Sequence, residues 1–193
     1  MPAYRGFLLV LTMAFGVAAQ VNYTVPGKIP ALKQPSNNTC WATAATMLIS
    51  WKNGFQQTVQ QAMDSAGVAY GLKVKADSGL AGSEKSAFLR TIAMRAEGPQ
   101  TYTVSGWEQL LKNHGPLWVT SNEGGNEQFA VHARVMIEIS GDGSPVGTFV
   151  TLLDPATGTK VSETVQTFTN KMADVARSDL GNGGDLRPQV VHY

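Results

Sequence analysis

The chain has 193 residues, with 15 Lys+Arg against 14 Asp+Glu and a formal net charge of +1. That length suits a single domain with a substantial core, and the balanced charge offers no basic surplus to neutralise a phosphate backbone, so nucleic acid is excluded as an expected partner. One cysteine forbids an internal disulfide, and no P-loop, Rossmann fingerprint, zinc-finger spacing or solenoid-length repeat is present.

The first residues, MPAYRGFLLVLTMAFGVAAQ, carry Arg5, then an apolar run, then small residues at Val17 and Ala19 ahead of Gln20. This order predicts an export signal over residues 1–19; the alternatives are a buried helix or a retained anchor. The run falls short of the roughly 20 apolar residues a membrane span needs, so no stable span is expected after its removal. Residues 20–193 are then expected to form one catalytic domain, with a helical lobe over about 30–115 and a β lobe over about 116–193.

Pro26, Pro30 and Pro35 predict an extended lead-in over 22–38. A helix follows, with Thr39 as N-cap and Gly54 as stop. Its Trp41, Ala44, Ala45, Met47, Leu48 and Ile49 cover most of its surface, which predicts burial on nearly all sides. Thr58 with Gln61, and Ser105 with Glu108, have capping-box spacing and predict two further helices, closed by Gly67 and by Gly115-Pro116. Between them Phe88, Leu89, Ile92 and Met94 recur at near-helical spacing.

The second half reads as strands. In FAVHARVMIEIS, Val131, Ala133, Val135, Ile137 and Ile139 share one face, and His132, Arg134, Met136 and Glu138 the other. The aliphatic row is expected to meet the core and the His132 row to look toward a surface or cleft. GDGSPVG is a turn, TFVTLL a buried strand, DPATG a turn before TKVSETV, and PQVVHY a last strand after a short helix near 168–176 and a glycine-rich loop at 181–184. Helices first and an antiparallel sheet second predict an α+β, two-lobed protein with a cleft between the lobes.

Cys40 opens the first helix, where partial positive charge and unpaired N–H groups favour a thiolate and can hold a developing oxyanion. A cysteine there can equally be a small buried hydrophobe. Of the three histidines, His192 lies by the C-terminus and His114 ends a helix, whereas His132 sits within an alternating strand. Asp154 ends the strand expected to pair with it and is a candidate to orient the imidazole, although an aspartate opening DPATG is also a good turn residue. Asp142, in GDG, is more turn-like still.

QPSNNTCWA, with a glutamine six residues before the cysteine and a tryptophan after it, resembles the papain-type signature. GPLWV, the block from Val131 to Gly158 and the terminal VVHY extend the resemblance over roughly 30–193, to the compact bacterial branch of papain-like cysteine proteases that includes secreted effectors. It implies Cys40 as nucleophile, His132 as base and later acid, Asp154 as orienting group, Gln34 as an oxyanion-hole donor beside the Cys40 N–H, and Trp41 as packing. It also implies a peptidase with no metal or organic cofactor, acting on protein or peptide substrates. The expected setting is periplasmic or extracellular, or inside a target cell as an effector or toxin, with secretion machinery and an immunity or inhibitor protein as further partners. Without a functional signal the location would be cytoplasmic. The chain departs from plant and lysosomal papains in lacking the cysteine before the nucleophile, in having Asp rather than Asn as third member, and in showing no long propeptide. A same-fold amidase, glutamine deamidase or acyltransferase stays open, as does an inactive binding module. The Asn37-Asn38-Thr39 acceptor pattern would place a glycan at the cleft, which fits a host without that modification.

Overall fold

The computed structural model describes residues 19–124, 128–181 and 186–193. Most of the expected signal segment, residues 1–18, and most of the glycine-rich loop, residues 182–184, lie outside them. Among the described residues are six helices and seven strands. The first is β1 (Val21–Thr24), followed by α1 (Cys40–Asn53), α2 (Val59–Ala66), α3 (Val68–Lys75), α4 (Gly82–Thr91) and β2 (Arg95–Ala96). Then come α5 (Val104–His114), β3 (Leu117–Asn122), β4 (Val131–Gly141), β5 (Thr148–Asp154), β6 (Thr159–Thr164), α6 (Val165–Gly181) and β7 (Val190–His192).

The sheet runs β2-β7-β3-β4-β5-β6 with antiparallel pairing. Along one edge of β4, β3 pairs with residues 131–136 and β1 with residues 138–141. Both faces are covered. Trp118, Ala133, Val135, Ile137, Leu153 and Val191 face a core built with α1, α2 and α4. Their strand neighbours Leu117, Val119, Met136, Val150, Leu152 and Val190 face a second core with α5, α6 and β1. Period-2 side-chain direction thus splits each strand between two cores. The large buried aromatics Trp107, Trp118, Phe88 and Phe168 divide between these cores, each contributing about 2–3 kcal/mol by area.

Several expectations are revised. The second face of β4 is not a surface: Met136 is buried and so is Arg134, because α5 and α6 cover that side. The ladder between β4 and β5 shifts register between Met136 and Glu138, a β-bulge that turns Ile139 onto the Met136 side. The fourth helix stops at Thr91, and Arg95–Ala96 instead forms β2 against β7. Helix α5 is capped by Thr103, whose hydroxyl accepts the Gly106 N–H at 3.1 Å, two residues before the expected Ser105. Helix α6 spans 17 residues rather than a short stretch near 168–176. The Thr58–Gln61 capping box and the nearly all-round burial of α1 are as expected.

Candidate active site

Helix α1 is held with its first turn at the sheet because Trp41 through Leu48 are buried in the α1 core. Thr39 is the N-cap by position, but its hydroxyl donates to Ser36 O (2.8 Å) and makes no side-chain cap. The first-turn N–H groups therefore keep their capacity for an anion. The loop before the helix is pinned to residues 77–78. The Asn38 N–H donates to Asp77 Oδ1 (2.7 Å) and its side-chain amide to Asp77 O (3.1 Å), while the Trp41 indole donates to Ser78 O (3.1 Å). Asp77 adopts φ 50, a left-handed conformation that aspartate tolerates better than most residues. Nothing in the local sequence pattern marks this long-range tie.

The β4–β5 ladder brings the other two groups together. Val135 pairs with Leu153 and Met136 with Leu152, so His132 and Asp154 are diagonal neighbours across the hairpin. His132 Nε2 lies 2.7 Å from Asp154 Oδ1, which also accepts the Ala156 N–H at 2.8 Å. Cys40 and His132 line the same cleft, and with Nε2 committed to Asp154 the nitrogen left to face the sulfur is Nδ1.

Burial opposes ionisation of Cys40, but the His132 hydrogen bond and charge and the Ala133 and Trp41 amides outweigh it, so the thiol is held below its ordinary value. Burial likewise disfavours the imidazolium of His132, yet hydrogen bonds and charges from Cys40 and Asp154 raise it above the usual histidine value. Each group favours the charged form of the other, the condition for a thiolate–imidazolium pair.

Gln34 sits on the loop before α1, its N–H donating to Pro155 O at 2.8 Å. Its side-chain NH2 donates to Ser36 O (2.8 Å) and Asn37 O (2.9 Å), and its Oε1 is buried with no partner among the described residues. Both amide hydrogens are thus committed in this structure, and a role on an oxyanion requires one to be released. The turn after Asp154 leans on the same loop. Gly158 has φ +73, and a Cβ there would come within 3.0 Å of Lys33 Cβ. Gly158→Ala is therefore expected to cost about 1–2 kcal/mol from the left-handed backbone alone, before the contact with Lys33. Thermal unfolding checks this, and a slowed alkylation of Cys40 would show that the strain reaches the His132–Asp154 pair.

A cleft of about 900 Å³ opens over Cys40 and His132, walled by Trp118, Leu80 and Pro188 among others. Lys85, 7% exposed, belongs to this wall; its Nζ donates to Pro188 O and lies 4.8 Å from the Trp118 ring centroid. Burial, then the nearby Arg187 charge, bring its pKa down to about 7. Sequence reasoning missed Lys85 because a lysine within a helix gives no sign of burial.

A helical layer set against an antiparallel sheet, with a thiol–imidazole–carboxylate chain at the mouth of a cleft, is the arrangement of a papain-like thiol hydrolase. The chain matches the family Peptidase_C70, described as papain-like cysteine protease AvrRpt2, over residues 20–173, and it belongs to that family of cysteine proteases. No curated protein matches it. Among solved structures, one from work on antibody cross-reactivity between the mite allergens Blo t 1 and Der p 1 is similar with a TM-score of 0.45 at 12% identity, covering 98% of this chain and 74% of that one.

Proposed function

We propose that this protease cleaves peptide bonds in protein substrates through Cys40, His132 and Asp154, with Gln34 and the first amides of α1 serving the oxyanion. The observation that carries the reading is the meeting of Cys40 and His132 at one cleft, with His132 Nε2 2.7 Å from Asp154 Oδ1. Cys40 thiolate attacks the carbonyl carbon and the carbonyl oxygen takes the negative charge, facing α1 N–H groups left without a side-chain cap. The His132 imidazolium passes its proton to the leaving amine, the C–N bond breaks, and a thioester remains on Cys40. Neutral His132 then takes a proton from water as the hydroxide attacks the thioester. The acid product leaves, and thiolate and imidazolium are restored. Asp154 keeps its hydrogen bond throughout and holds the ring in one orientation.

The test is to expose a proteome to the wild type and to Cys40→Ala and compare peptide termini. New N-termini specific to the wild type support proteolysis; a mass change of one unit at glutamine without new termini overturns it in favour of deamidation. Gln34→Ala is expected to lower kcat by roughly 10²-fold with KM little changed, the pattern for an oxyanion donor engaged in the transition state. Steady-state kinetics on a cleaved peptide reads it.

We also propose that the protease acts after export, as an effector or toxin. The family match begins at residue 20, where the mature chain is expected to start, and this supports the reading. Terminal sequencing of the exported protein tests it: a start at Gln20 agrees, and a retained Met1 refutes it.

A further inference from the structure

Outside the cleft, three metal-ligating side chains from separate elements converge. They are Glu97 just after β2, His114 in the last turn of α5 and His192 in β7, with one ligand atom from each within 4.8 Å of the others. We propose that Glu97, His114 and His192 form a second site, binding a borderline divalent cation of the zinc class with a water completing the shell. The set His2Glu matches zinc chemistry, and ligand atoms about 2.0–2.2 Å from a tetrahedral ion stand roughly 3.3–3.5 Å apart, within the spread found here.

The surrounding hydrogen bonds point the same way. His192 Nδ1 lies 2.7 Å from Tyr193 O and donates to it, which leaves the Nε2 lone pair facing Glu97 Oε1 at 2.7 Å. Those two ligand atoms already converge on one point, and a shared cation would spread them from 2.7 Å to roughly 3.4 Å. A metal-bound histidine is usually oriented in this way, through its other nitrogen, by a carboxylate or main-chain oxygen.

The two imidazoles are stacked, with centroids 3.7 Å apart and planes 25° from parallel. A shared ion needs converging lone pairs, so His114 turns out of the stack on binding. His114 is half-buried at the end of α5, whereas His192 is buried in β7. The ion would join β2, β7 and α5 at the sheet edge opposite β6.

The test uses the Cys40→Ala chain, so that the catalytic thiol cannot supply the binding. Zn2+ titrated calorimetrically is expected to bind with one-to-one stoichiometry, and at about a hundredfold excess over Kd to raise Tm by roughly 5–10 °C. Co2+ should give the intense visible bands of a tetrahedral site. His114→Ala is expected to weaken Zn2+ binding at least tenfold, as is Glu97→Gln, which keeps a hydrogen-bonding group beside His192. Loss of all binding in Cys40→Ala, or an unchanged Kd in both site variants, overturns the proposal. Neither result bears on the peptidase reading, because the catalytic thiol is absent throughout.

Discussion

Cys40→Ala is expected to reduce peptide hydrolysis by about 10⁴-fold or more, with the fold intact, because removing the nucleophile leaves only binding and oxyanion contacts. His132→Ala should cost a comparable factor and has a diagnostic second effect. Burial pushes the Cys40 thiol up, and the His132 hydrogen bond and charge are the main influences holding it below 9.0. Without them the thiol rises, and iodoacetamide labelling at neutral pH slows. In the wild type, thiolate is lost as pH falls through the lowered Cys40 value, and imidazolium is lost as pH rises through the raised His132 value. The rate is therefore bell-shaped, with its acid limb set by the lowered Cys40 value and its alkaline limb by the raised His132 value. Labelling that follows an ordinary free thiol across that range, together with full activity in Cys40→Ala, would sink the assignment.

Arg134→Ala is expected to be the most damaging change away from the cleft. The guanidinium, with its side chain 3% exposed, lies 2.6 Å from Glu123 Oε1 and 2.6 Å from Glu163 Oε1, and donates to Ser121 Oγ at 3.0 Å. Lys171 bridges the second oxygens of both carboxylates at 2.8 and 2.7 Å. Truncating the arginine leaves two carboxylates sharing one lysine beside the α6 core, at a cost of about 3–5 kcal/mol. For a domain of this size that is a fall in Tm of roughly 6–20 °C. Replacing the arginine by Met together with Glu123→Gln should recover most of the loss, because Lys171 then stays paired with Glu163 and no second carboxylate is left uncompensated. Calorimetry on the two variants decides; equal melting temperatures would show that packing around Phe168, not charge, holds the region.

The helical first half and antiparallel second half were legible because burial imposes periods of 3.6 and 2 on the apolar residues, as in α1 and around Val135. Cys40, His132 and Asp154 stood out as chemical types, but their convergence was not readable from spacing. It depends on the β4–β5 register and on α1 docking to β4, which are tertiary facts. Two misreadings of β4 have separate origins. Arg134 and Met136 looked like an outward row because alternation reports that a strand has two faces, not that both are covered. Ile139 was assigned to the wrong row because one extra residue in β4 is invisible to a period count. The helix starts erred where two hydroxyls compete, as with Thr103 and Ser105. The commitment of the Gln34 amide to Ser36 O and Asn37 O was also beyond reach, since a loop's hydrogen bonds follow from its path.

The hairpin between His132 and Asp154 acts as a ruler whose two ends differ in their tolerance of length change. Pairing at 135–136 with 152–153 sets the histidine–carboxylate separation, and the bulge lies between that stretch and the turn. Residues added at the exposed 142–146 tip lie beyond both and leave the spacing alone, so that tip is where a tag or a further module can be inserted. A residue gained or lost between His132 and Val135 would instead slide the imidazole to the opposite face of the sheet. Chain-length variation among relatives with intact activity should therefore collect at the tip and be missing from the four residues that open β4.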